Sequence, residues 1–141
     1  MVSWLALYHI ADPARLFSRL AHALAPGGGL YVEDFYRLGA FADHERAILD
    51  QVIYAQSLPP RDDYIAAVEA AGFTDVRFTD MTAPWAAFVA ARAAAYREGL
   101  DDHAALHGAD VAGGLDMFYD TVVKLFGGGA FAGVRLTATK A

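Results

Sequence analysis

The sequence predicts an α/β protein: half of an open, doubly wound sheet, about four strands with flanking helices and the last strand antiparallel. Three observations lead there. An apolar run from Val2 to Tyr8 opens the chain and reads as a parallel strand buried on both faces. A short helical stripe and a proline-glycine turn join it to a second apolar strand, which makes a βαβ unit with its crossover. An alternating segment at the other end, Phe131 to Thr139, reads as a closing strand.

The elements follow in order. Asp12-Pro13 supplies an N-cap and a helix-starting proline. Leu16, Phe17, Leu20, Ala21 and Leu24 recur at helical spacing, with Arg15 and Arg19 outside that stripe. Pro26-Gly27-Gly28-Gly29 stops the helix, and Leu30 to Phe35 forms the second strand. Ile48, Leu49, Val52 and Ile53 mark a helix from about Asp43 to Gln56, broken by Pro59-Pro60. Asp62 to Ala71 is another helix, stopped at Gly72, and Phe73 to Met81 a third strand. Thr82 is the expected cap of a helix whose inward stripe is Trp85, Phe88, Val89, Arg92 and Tyr96. Glu98 to His103 is expected as a loop. The last helix carries Leu115, Phe118, Tyr119, Val122, Val123 and Phe126. In the final strand Val134, Leu136 and Ala138 alternate with Arg135, Thr137 and Thr139.

The 141 residues suit one domain, and 56% hydrophobic with 13% aromatic residues can bury a substantial core. A net charge of −6 argues against nucleic-acid binding, which needs a clustered basic face. No apolar run is long enough to span a bilayer, so no membrane partner is expected. The absence of cysteine removes disulfides, thiolate chemistry and Cys-based zinc sites; the expected compartment is the cytoplasm. Gly27 to Gly29 joins a helix to a strand, the reverse of a nucleotide-binding glycine turn. Gly127 to Gly129 has the same order and lacks a following Lys-Ser/Thr, so it is no phosphate loop. His103 and His107 have the i, i+4 spacing of two metal ligands, but without an adjacent Glu they read as a solvated pair.

A strand ending in Tyr8-His9, then Asp12-Pro13, Leu24-Ala25-Pro26-Gly27-Gly28 and Leu30-Tyr31-Val32-Glu33-Asp34 together resemble class I S-adenosylmethionine-dependent methyltransferases. Tyr64 through Ala71-Gly72-Phe73, and the final Val134 to Lys140, extend the likeness over nearly the whole chain. Within that family it looks most like the phosphoethanolamine and sarcosine/dimethylglycine N-methyltransferases, through His9, Asp34-Phe35 and Asp80-Met81-Thr82 before Trp85. The resemblance implies a partial Rossmann-like methyltransferase sheet: residues 1–141 as the C-terminal half, lacking the N-terminal cofactor-binding half. The family's glycine-rich loop and ribose-binding acid have no counterpart here. It further implies S-adenosylmethionine as cofactor and a small-molecule methyl acceptor, an amine, as substrate.

His9 lies just past the C-terminal end of a parallel strand, the edge that carries ligands in open α/β sheets. An amine must lose a proton before it attacks a methyl group, and an imidazole can take that proton or hold the nitrogen. The alternative is a His that only bonds backbone. Ser3 and Trp4 either flank the cofactor or pack as plain strand residues. Phe35 and Tyr36 are candidates for an aromatic wall around a substrate ammonium, or core residues. Arg92, a charge on an apolar stripe, either clamps a substrate phosphate or carboxylate or forms an internal ion pair. Glu33 and Asp34 end the second strand at the same edge; no metal site is expected from them. A second reading of the whole is a non-catalytic interaction domain whose half-sheet a partner chain completes. In either case the open first strand is a place for self-association.

Overall fold

A computed structural model describes all residues from 1 to 141. Its sheet has four strands: β1 (Val2–Trp4), β2 (Gly29–Arg37), β3 (Phe73–Asp80) and β4 (Phe131–Lys140), in the spatial order β1-β2-β4-β3. Only β1 and β2 are parallel; β4 runs antiparallel to both β2 and β3, as the alternating C-terminal segment foretold. The connecting helices are α1 (Pro13–Ala23), α2 (Asp43–Ile48), α3 (Arg61–Ala70), α4 (Thr82–Glu98), α5 (Leu100–His107) and α6 (Ala109–Gly127). No helix is long and apolar enough to cross a membrane.

Strand periodicity divides β2 between two layers. Leu30, Val32 and Tyr36 face α1 and α3 and pack with Phe17, Ala21, Tyr64 and Val68. Phe35 faces the other way and packs with Leu49, Ile53, Val122, Leu125, Phe126 and Phe131. β4 serves both layers, with Val134 and Leu136 in the first and Phe131 in the second. The α1 cap is as expected: an Asp12 side-chain oxygen accepts from the Arg15 amide at 2.9 Å. Gly27 takes the left-handed conformation (φ +77°) that lets the chain turn back into β2. At this rim the Met1 amino group donates to the Gly29 carbonyl, Lys140 pairs with Gly27 and Gly28, and Ala141 donates to Gly72. Both chain ends therefore lie at one end of the sheet, opposite the C-terminal ends of β1 and β2.

Five expectations need correction. The opening strand stops at Trp4: Leu5 is left-handed (φ +47°), and Leu7–His9 forms a 3-10 turn. β1 is also an open edge rather than a buried strand, with Val2 and Trp4 exposed. The helix expected to reach Gln56 is regular only to Ile48; it widens into a π turn over Leu49–Ile53 and ends at left-handed Tyr54. Thr82 does not cap α4; an Asp80 side-chain oxygen accepts from the Thr82 amide at 2.8 Å. The expected loop at Glu98 to His103 is largely helical, since α5 starts at Leu100 and the His103 ring stacks on Tyr96 at 4.4 Å.

Gly133 lies opposite Phe35 in the β2–β4 ladder, and the Trp85 ring lies directly over its backbone. A methyl group there would fall inside the Trp85 six-membered ring's contact distance. Gly133→Ala is therefore expected to lower stability by about 1–3 kcal/mol, the usual range for overpacking. Trp85 emission should shift with it; a variant with wild-type melting temperature and emission would contradict the packing.

Candidate functional site

The C-terminal ends of β1 and β2 open onto a cavity of about 350 Å³ between the sheet and helices α4 and α6. Trp4 and Leu5 come from β1 and the residue after it, Tyr8 from the 3-10 turn, and Phe35 from β2. Trp85, Phe88 and Val89 come from α4; Phe118, Tyr119, Val122 and Phe126 come from α6. On α6 these four repeat with helical spacing, which places them on one face. Aromatic rings meet at the base, with Phe35 4.4 Å from Phe131 and edge-on to Trp85 at 6.0 Å. Eleven of the twelve lining residues are hydrophobic, and no lysine or arginine lines the cavity. Glu33 is the one acidic residue there, and it is already occupied. It accepts from the Tyr31 hydroxyl at 2.7 Å and from Arg135 Nε at 2.8 Å. Partial burial pushes its carboxyl up, but the Tyr31 hydroxyl and the Arg135 guanidinium outweigh that and hold it below the usual range.

His9 is exposed and does not line this cavity; its ring contacts that of Tyr8, which does, at a centroid distance of 4.0 Å. Its Nδ1 is 3.0 Å from the Tyr54 carbonyl oxygen. A carbonyl only accepts, so Nδ1 carries the hydrogen and Nε2 is the free base nitrogen of the neutral ring. The turn itself is pinned: the Tyr8 carbonyl accepts from the amides of Gln56 and Ser57 at 2.8 and 3.1 Å. The left-handed residue that ends the π turn thus presents the oxygen that orients His9.

The other candidates divide. Trp4, 68% exposed, and Phe35 line the cavity. Ser3 sits mid-strand opposite Val32 and does not reach the cavity. Tyr36 points into the opposite layer, buried edge-on against Phe78 at 4.9 Å, so it cannot form the substrate wall expected of it. Arg92 is exposed and donates to the Tyr119 hydroxyl at 3.3 Å; it has no internal ion pair and does not enter the cavity. Tyr8 and the α6 residues were not singled out from the sequence as site residues. For α6 the signal was present, since the stripe was legible but read as core.

No family model matches the chain, and no curated protein does. Solved structures do. The chain superposes on Haemonchus contortus phosphoethanolamine N-methyltransferase 2, crystallised with phosphomonomethylethanolamine and S-adenosylhomocysteine, with TM-score 0.88 at 19% identity. That match covers 99% of this chain and 32% of the other. A Galdieria sulphuraria protein described as a sarcosine dimethylglycine methyltransferase gives TM-score 0.83 at 16% identity, over 99% of this chain and 52% of that one. The Mycobacterium tuberculosis cyclopropane synthase MmaA2 gives 0.80 at 20%, over 99% and 54%. The chain has the fold of S-adenosylmethionine-dependent methyltransferases, and it spans about a third to a half of the length of these structures.

Proposed function

We propose that this chain is the acceptor-binding part of an S-adenosylmethionine-dependent methyltransferase that methylates a small amine. The observation that carries the reading is the aromatic cavity at the C-terminal ends of the parallel pair β1–β2, with His9 packed on its lining residue Tyr8. That is where an open α/β sheet places its ligand. The open edge of β1, with exposed Trp4 at its end, suits one side of a cofactor site; the glycine loop and ribose acid must come from elsewhere. S-adenosylmethionine, when bound, supplies an electrophilic methyl group. The chain's residues would hold the acceptor's body against Phe35, Trp85 and Val122, and His9 Nε2 would accept the ammonium proton or orient the amine. Aromatic faces attract an ammonium before it loses that proton. Because no cation lines the cavity, an amine with an apolar body fits better than a phosphorylated one.

The test uses the protein produced with any sequence its gene encodes ahead of Met1. Transfer of a labelled methyl group from S-adenosylmethionine to a panel of small amines is expected, with alkyl and arylalkyl amines ahead of phosphoethanolamine. No transfer to any amine, together with a stable complex with a second protein through the β1 edge, would favour the interaction-domain reading instead.

A further inference from the structure

Asp34 is 1% exposed, and no cation is paired with it. Alternation along β2 turns it away from the cavity and Glu33, into the layer beneath α1 and α3. There one of its side-chain oxygens accepts from the Phe35 amide at 2.8 Å, and the backbone amides of Leu7 and Tyr8 also face its carboxyl. Those amides open the 3-10 turn Leu7–His9, and the first amides of a helical turn have no partner within it. Ala6, at the N-cap position, has no side-chain acceptor to offer.

A second buried group meets the same carboxyl. The Tyr64 hydroxyl, from α3, is the one buried side-chain polar atom without a hydrogen-bond partner. Tyr64, Asp34, Leu7, Tyr8 and Ser57 line a void of about 10 Å³. That is roughly the smallest space that holds one water.

We infer that Asp34 is the positioning residue for His9: its buried carboxyl caps the turn that carries Tyr8 and His9, and one water in the adjoining void links it to the Tyr64 hydroxyl. This rests on the role proposed for His9. The titratable groups facing Asp34 are the hydroxyls of Tyr8, from the turn, and Tyr64, from α3; the parts of α1 at the void (Pro13, Leu16, Phe17) carry none. Burial pushes the Asp34 carboxyl up to about 7, against three backbone amides that favour its charged form. The cap therefore changes charge near neutral pH. The ionised carboxyl grips the amides, and the neutral one turns a hydroxyl toward the water and Tyr64.

The experiment is an NMR pH titration of the 141-residue chain with labelled aspartate carboxyls and backbone amides. The Asp34 carboxyl is expected to titrate with a midpoint near 7, and the Leu7 and Tyr8 amide shifts to follow the same curve. In Asp34→Asn that shared titration disappears and the two amides exchange about 10-fold faster, as expected for a weakened cap bond. Tyr64→Phe, which removes the donor on the far side of the water, raises the midpoint further. In the catalysing protein, Asp34→Asn lowers kcat with KM unchanged and removes the limb of the kcat pH profile near 7. Leu7 and Tyr8 amides that stay flat while Asp34 titrates would overturn the cap, whether or not Asp34→Asn folds. An unchanged midpoint in Tyr64→Phe would overturn the water link. If no methyl transfer is found at all, the functional reading fails while the NMR titration still decides the cap.

Discussion

Replacing His9 with alanine, in a protein that carries this chain and transfers methyl groups, is expected to lower turnover by about 10²-fold or more, the usual scale for a positioned acid–base group. The geometry supports so large an effect. The Tyr54 carbonyl fixes Nδ1 as the protonated nitrogen and leaves Nε2 as the base. The ring is held against Tyr8, which itself lines the cavity. Cofactor affinity should change little, because the role proposed for His9 is toward the acceptor amine. His9→Asn separates the two roles: it recovers part of the loss if His9 mainly orients the amine, and none if it must accept the proton. The check is kcat across pH 6 to 9, a range chosen to bracket the usual titration of an imidazole near pH 6.5. An alanine variant with wild-type turnover throughout would remove His9 from the mechanism.

The second large effect is on stability. Asp34 has its carboxyl raised from 3.8 to about 7 by burial. The folded state then holds its proton more tightly than the unfolded state does. Its contribution is present in full below the unfolded value and is lost as pH rises through the folded one. Unfolding free energy should fall by about 3 kcal/mol between pH 4 and pH 7 from this group. Glu33 and Asp120 work in the opposite sense, because their partners hold them below the usual range. Comparing the wild type with Asp34→Asn by urea denaturation at several pH values isolates the Asp34 part. Equal slopes for the two proteins would show that the buried carboxyl does not titrate in this range.

The sheet was legible in the sequence because its signals are local. The Asp12-Pro13 start, the Pro-Gly-Gly turn and the alternation of β4 each express one physical rule within a few residues. The interruptions were less legible. Nothing local marks the left-handed residues Leu5 and Tyr54 that end β1 and the π turn, since neither is a glycine. Tertiary contact also overrode the expected loop at His103, whose ring found Tyr96 to stack on. For the site, the edge was legible and the facing only partly so. Trp4 and Phe35 line the cavity and His9 adjoins it only through Tyr8, whereas Arg92, from the α4 stripe, is exposed and does not reach it. Tyr36 and Asp34 were separable from Phe35 and Glu33 by the two-residue period alone, because neighbours in a strand point to opposite layers.

The rim where Met1 bonds Gly29 and Ala141 bonds Gly72 has a practical consequence for handling this protein. A surface tether, an affinity tag or a fluorescent fusion can be attached at either terminus and will leave from the side away from the aromatic cavity. An immobilised sample would thus present that cavity to free solution whichever end is anchored. Trp4 and Trp85, the only two tryptophans, both line it, so their emission reports on occupancy without an added dye.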